Sequence, residues 1–125
     1  MGRMTDIVQD WLDRYLVAWK SNAEADIRAL FTDDATYSGS PLDPEPWVGA
    51  DAIVAGWVQY HDDPGTWTFE GAPLVTDGTV AVVQGRTDYS NGHTWANLWV
   101  LRLAPDGRAT SFVEWAIRPG PVDRG

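Results

Sequence analysis

The sequence predicts an α+β domain with three N-terminal helices packed on one face of a curved, mainly antiparallel sheet. Three observations carry this expectation. Apolar residues recur at helical spacing between Ile7 and Trp19. After Pro64 the pattern changes to period two. The turns "TDG", "SNGH" and "APDG" then divide the second half into short strands. Helices followed by a run of hairpins, rather than alternating with strands, is the order of an α+β fold.

Thr5 is a candidate N-cap, and Ile7, Trp11, Leu12, Tyr15, Leu16 and Trp19 form one stripe of a first helix ending near Ser21-Asn22. A second short helix is expected over 24–31, with Ile27, Leu30 and Phe31 inward. "DDATYSGSP" reads as a brief extended segment, and the three prolines of "SPLDPEPWVG" make an irregular flap. A third helix over 50–60 ends before "HDDPG". Strands follow at 66–76, 79–89, 94–103 and 110–118.

At 125 residues the chain is a single domain, spanning 1–125, that buries roughly two-thirds of its unfolded surface. The hydrophobic fraction is 44% and the charges are mixed along the chain, which argues against disorder. Net charge is −9 with only nine scattered basic residues, so nucleic acid and anionic membrane surfaces are poor partners. The absence of cysteine removes disulfides, thiolate nucleophiles and sulfur-rich metal sites. His61 and His93, in a helix end and a turn, have no metal-ligand spacing, and no metal is expected. "MGRMTDIVQDW" lacks the apolar run of a signal peptide and no segment is apolar enough to span a bilayer, so a cytoplasmic location is expected. Eight tryptophans suit either a dense aromatic core or a cavity for an apolar or aromatic small molecule.

Turn lengths estimate the strand register. A four-residue loop over 90–93 sets Tyr89 opposite Thr94, and a four-residue "APDG" loop sets Leu103 opposite Arg108. The expected result is a transverse row Arg86–Asn97–Glu114, flanked by Gln84–Trp99–Phe112 and Asp88–Trp95–Ala116. The opposite face then carries Val83, Leu98, Val100, Val113, Trp115 and Ile117. Periodicity alone leaves open which of the two faces meets the helices.

"RYLVAWKSNAEADIRALFTDDATY", followed by the Pro-rich loop, "GADAI" and the strand meander, resembles the nuclear transport factor 2-like, or SnoaL-like, superfamily over nearly the whole chain. The resemblance implies a cone-shaped fold whose helices close over the concave face of the sheet, with a pocket between them. Compared with the ketosteroid isomerases, Tyr15 matches the oxyanion-donating tyrosine, but Ser40 and Trp99 stand at the positions of the base and second donor. Steroid isomerisation is therefore not expected. The site residues are more similar to those of limonene epoxide hydrolases: Arg86 and Asp88 in "RTD", Glu114 in "FVEW" and Tyr37 in "DDATY". The resemblance departs at Gly39, where that family has a water-binding asparagine, and at Glu114, where it usually has aspartate. Asn97, beside Glu114 in the expected row, could supply the missing amide.

That match implies an acid–base constellation without a cofactor. Asp88 would be the acid, Glu114 the base and Arg86 the bridge, with Tyr37 and Asn97 holding water. Tyr15, Trp19, Trp57, Gln84, Trp95, Trp99 and Phe112 would bind the substrate. The same parts could serve a cyclisation, an isomerisation or a dehydration. A non-catalytic small-molecule binder, an interaction module, an Arg86–Asp88 surface pair and a buried structural network remain as alternatives. If the polar row faces inward, the apolar reverse face and the resemblance both point to a homodimer through the outer sheet face.

Overall fold

The computed structural model describes residues 4–120, with side chains from Ile7 onward. Helix α1 (Met4–Ser21) and the short α2 (Glu24–Arg28) lead into strand β1 (Phe31–Ser38) and a two-residue strand β2 (Trp47–Val48). Helix α3 (Ala50–Gln59) then precedes β3 (Trp67–Asp77), β4 (Val80–Tyr89), β5 (Thr94–Leu103) and β6 (Ala109–Ile117). The strands form one sheet in the order β2-β1-β6-β5-β4-β3. Helices at the N-terminus cover one face of the curved sheet, as the sequence predicts. No helix among the described residues is long and apolar enough to cross a membrane.

The α1 stripe is buried through Val8, Trp11, Leu12, Tyr15 and Ala18, with Ile7, Leu16 and Trp19 packed at its margins. Trp11 is the centre of the core, and its indole N–H donates to the Leu30 carbonyl at 3.0 Å. Burying its ring without leaving that N–H unpaired combines the full hydrophobic gain with a satisfied polar atom. The helix begins at Met4, so Thr5 lies within it rather than capping it, and the Thr5 side chain lies outside the described residues.

Two elements differ from expectation in the first half. Helix α2 stops at Arg28, and Phe31 is a fully buried strand residue instead of the end of a helix. The expected brief extended segment is the eight-residue β1, which pairs in parallel with β6 through Thr36↔Ser111 and Tyr37↔Phe112. A parallel pair between segments this far apart leaves no local turn signal, so hairpin reasoning cannot find it.

The β4–β5 and β5–β6 hairpins correct the expected register. Tyr89 N–H donates to the His93 carbonyl at 2.8 Å and Gly92 N–H to the Tyr89 carbonyl at 3.0 Å. The loop is therefore Ser90-Asn91-Gly92, three residues long, with Gly92 at φ 91°, where glycine is favoured. Shortening the loop by one residue moves β4 by one position, so Gly85 pairs with Asn97, and Arg86 with Ala96. A one-residue slip turns every side chain of β4 to the other face.

The β5–β6 loop is also three residues long, since Ala104 N–H donates to the Arg108 carbonyl at 2.8 Å and Gly107 N–H to the Ala104 carbonyl at 2.9 Å. Here, however, a β-bulge between Arg102 and Leu103 adds a second one-residue step. The two steps together preserve parity. Asn97 pairs with Ala116 and Trp99 with Glu114, so these four residues share the helix-covered face as expected.

The row Arg86–Asn97–Glu114 consequently does not form. Arg86, Asp88 and Gln84 occupy the outer face, and Val83, expected there, is buried inside at 1% exposure. Leu98, Val100, Val113, Trp115 and Ile117 do lie on the outer face, the last two exposed.

Candidate functional site

Between the helices and the inner sheet face lies a cavity of about 240 Å³. Tyr15 and Trp19 reach it from α1, Tyr37 from β1, Trp47 from β2 and Trp57 from α3. The sheet contributes Thr87 and Tyr89 from β4, Trp95, Asn97 and Trp99 from β5, and Glu114 and Ala116 from β6. Tyr60, His61 and Asp62, which follow α3, complete its wall.

Glu114 is the chemical centre. One of its oxygens, Oε2, accepts both the Asn97 amide N–H at 3.1 Å and the Trp99 indole N–H. The Asn97 amide is itself oriented, because its Oδ1 accepts the Thr87 hydroxyl at 2.7 Å. Thr87, Asn97 and Trp99 are all buried, so the chain Thr87→Asn97→Glu114 holds the carboxyl in one position. The other oxygen, Oε1, has no donor among the described residues. Burial pushes the Glu114 carboxyl above the usual carboxylate range, and the two N–H donors offset that only in part.

The same cavity is lined by a hydroxyl pair, Tyr15 and Tyr37, with their oxygens 3.3 Å apart. Burial raises both phenols well above their ordinary value, with Tyr37 and Glu114 adding to the effect on Tyr15 and Glu114 to that on Tyr37. Both therefore stay protonated across the physiological range. One hydroxyl donates to the other, which leaves the second proton free for an oxygen in the cavity. Trp47 stacks on Tyr37 at 5.0 Å, while Phe112 lies behind both tyrosines, 4.5 Å from the Tyr37 ring and 5.8 Å from that of Tyr15.

Asp62 forms a second polar station. Its Oδ2 accepts the Trp19 indole N–H at 3.0 Å and the Tyr89 hydroxyl at 3.1 Å. Its carbonyl accepts the Asn22 amide at 3.2 Å, and the Asn22 Oδ1 accepts the Trp57 indole N–H at 2.9 Å. Asn22 takes the left-handed conformation at φ 51° that this bridge between α1, α3 and the loop requires. Burial and the neighbouring Asp62 raise the Tyr89 phenol.

The structure brings together Glu114, Asn97, Tyr37, Tyr15, Trp19, Trp57, Trp95 and Trp99 from the expected set. It separates the others. Arg86 and Asp88 pair with each other on the outer face, with contacts of 3.0–3.1 Å and side chains 64% and 44% exposed. Asp88 also accepts the Thr94 hydroxyl at 2.6 Å, and with Arg86 this holds its carboxyl below the ordinary value. Gln84 is exposed on the same outer face, and Phe112 is fully buried behind the cavity rather than lining it. Alanine at Arg86 or Asp88 is expected to leave ligand binding and turnover unchanged. Loss of either on substitution would return the pair to the site.

Asp62, Thr87, Tyr89 and Trp47 were missed in the sequence. Thr87 and Tyr89 follow from counting "SNG", not "SNGH", as the loop. Asp62 sits in an irregular segment and Trp47 in a two-residue strand, both too short of pattern for periodicity to carry a signal. His61 reaches the cavity wall although exposed, its ring nitrogens on the Val58 carbonyl at 2.8 Å and the Asp63 carboxylate at 3.0 Å. No group of three metal-binding side chains occurs among the described residues.

Gly71 and Gly85 face each other across β3 and β4, and the Phe69 ring lies over both. A Cβ on Gly85 would lie 2.3 Å from that ring, which stacks on Trp99 at 4.9 Å. Gly85→Ala should therefore cost about 1–3 kcal/mol, measured by urea unfolding, and disturb the Trp99 donor to Glu114. An alanine variant of native stability would mean that Phe69 moves freely.

A helix-capped α+β cone enclosing an aromatic pocket defines the class as nuclear transport factor 2-like. The model of the SnoaL-like domain matches residues 12–116, and the chain belongs to that family. Among solved structures, an NTF-2 like protein of unknown function from Burkholderia xenovorans aligns with a TM-score of 0.76 at 15% identity, over 98% of this chain and 92% of that one. An LEH-like epoxide hydrolase from M. tuberculosis aligns at 0.68 and 14% identity, over 94% and 83%. A ketosteroid isomerase-like protein from Erwinia carotovora atroseptica aligns at 0.67 and 17%, over 95% and 100%. Likeness at these identities establishes the fold alone. Comparison with curated protein sequences finds no match.

Proposed function

We propose that the protein is a small-molecule enzyme of the acid–base type, with Glu114 moving a proton at carbon in an isomerisation, cyclisation or dehydration. The observation that carries this reading is the Glu114 carboxyl itself: it lines an aromatic cavity, its Oε2 is held by Asn97 and Trp99, and its Oε1 has no donor among the described residues. A base needs a fixed position, a free lone pair and a basicity raised above that of an exposed carboxylate, and burial supplies the last. The protonated Tyr15–Tyr37 pair stands ready to donate to an oxygen that gains negative charge as the proton leaves. Asn97 and Thr87 act as positioning residues, since they orient Glu114 rather than reach the reacting atoms.

Epoxide opening by the expected triad would need Arg86 and Asp88 beside Glu114, and their outward placement removes the acid half of that scheme. Proton abstraction needs one carboxylate and one oxyanion donor, and both line the cavity.

The test is the ring opening of nitrobenzisoxazole, an uncharged aromatic carbon acid. A base takes the ring C–H proton, the N–O bond breaks, and a cyanophenolate forms. The protein should accelerate this over buffer acetate and saturate with substrate, and a rate no higher than that of free carboxylate would sink the assignment of Glu114.

A further inference from the structure

We propose that the molecule this cavity receives carries a cationic amine, a protonated or quaternary ammonium group seated between the Asp62 carboxylate and the surrounding aromatic faces. The inference deepens the reading of the cavity as a ligand site by naming the class of ligand.

Charge supports it first. The cavity wall holds two carboxylates, Asp62 and Glu114, and no lysine, and Arg118 borders it in the adjoining pocket that Asp62, Tyr89 and Trp95 also line. His61, the remaining basic side chain on the wall, has both ring nitrogens committed to Val58 and Asp63. Donating from both nitrogens, that ring spends its positive charge on the Asp63 carboxylate, whereas Asp62 has no ion-pair partner among the described residues. The net charge of −9 steers the same sign of ligand toward the molecule.

Asp62 is built to meet such a group. It spends a single oxygen, Oδ2, on Trp19 and Tyr89, and Oδ1 has no partner among the described residues. Two donors on one oxygen hold the carboxylate and leave the second oxygen without a protein donor among the described residues. A neutral, apolar ligand packed against Oδ1 would strip its water and return nothing. An ammonium group would replace that water with a charge-assisted contact.

The aromatic walls supply the other half. Trp19 and Tyr89 contact Asp62 directly, and Trp95 lines both pockets that Asp62 lines. Ring faces attract a desolvated cation through their quadrupoles, with tryptophan the strongest. The chain already uses this wall in that way, for the Arg118 guanidinium lies 5.6 Å from the centroid of the Trp95 ring. Anchoring the amine at Asp62 leaves Glu114 for the carbon-bound proton, so the two carboxylates have separate tasks.

The experiment is a titration of tryptophan fluorescence in the full chain with benzyltrimethylammonium and with neopentylbenzene, its uncharged carbon isostere. The cation should bind more tightly by about tenfold or more. Asp62→Asn, which keeps an oxygen for Trp19 and Tyr89, should lower cation affinity by a similar factor and leave the isostere unaffected. Equal or tighter binding of the isostere, or no saturable response to the cation up to millimolar concentration, overturns the proposal. These two results come from the unaltered protein and so do not depend on the folding of a variant. An Asp62→Asn protein with native near-ultraviolet circular dichroism and an unchanged preference for the cation also overturns it. Nitrobenzisoxazole is uncharged, so failure here leaves the role of Glu114 standing, and failure there leaves the amine site standing.

Discussion

Glu114→Gln should reduce the rate of nitrobenzisoxazole opening by about 10²–10⁴-fold, the usual worth of a positioned general base. The substitution is close to isosteric. A glutamine Oε1 can take the place of the Glu114 Oε2 and accept both the Asn97 and the Trp99 N–H, so packing and orientation persist. Only the proton acceptor is lost. Retention of the parent rate would exclude Glu114 as the base.

The pH dependence of the same pair of proteins gives an independent check. Burial raises the folded-state pKa of Glu114 above its unfolded value. Its neutral form is thus the one that folding favours, and its stabilising contribution is complete below the unfolded pKa, about 4.3. That contribution is lost as pH rises through the folded-state value. Relative to Glu114→Gln, which never ionises, the parent protein should lose melting temperature as pH rises above about 4.3. Activity should run the opposite way, rising with pH through the same interval as the carboxylate forms. A melting-temperature difference that is flat with pH would mean that Glu114 is solvated.

The second large effect is on stability. Trp99 is 1% exposed, and its ring contacts those of Tyr15, Phe69 and Phe112. Trp99→Ala should cost about 3–5 kcal/mol. Against a total of about 5–15 kcal/mol for a domain, the variant sits near the edge of folding. Trp99→Phe separates packing from donation, since it keeps an aromatic ring and removes the N–H from Glu114. Its expected cost is about 1–3 kcal/mol. It should also shift the activity profile to higher pH, because the lost hydrogen bond favoured the ionised carboxyl. An unmoved profile would show that the indole N–H does not tune Glu114.

Placing the site on Trp99 has a consequence for how the protein tolerates change. The ring that holds the carboxyl is also a core residue, stacked on Phe69, which in turn covers Gly71 and Gly85. Substitutions in β3 and β4 therefore reach Glu114 through packing alone. Stability and activity should fall together along this path, but separately for Asn97 and Thr87, which act through hydrogen bonds.

Much of this was legible in the sequence. Helical spacing in α1 and period-two strands after Pro64 located the elements, because burial of one face imposes those periods on the residues themselves. The aromatic lining and the placement of Asn97 and Glu114 on one face also followed, since β5 and β6 keep their parity, although Asn97 pairs with Ala116 and not with Glu114. What the tertiary structure decided was the facing of β4 and the placement of Asp62. Both glycine turns close with three residues, but the Arg102/Leu103 bulge restores parity in one hairpin and nothing does so in the other. A bulge arises from backbone twist and packing across the sheet, which local composition does not encode. That one missing compensation puts "GRTD" on the outer face and brings Thr87 and Tyr89 to the cavity. Asp62 is held by side chains from α1 and β4, far away in the chain, so only the folded molecule brings it to the site.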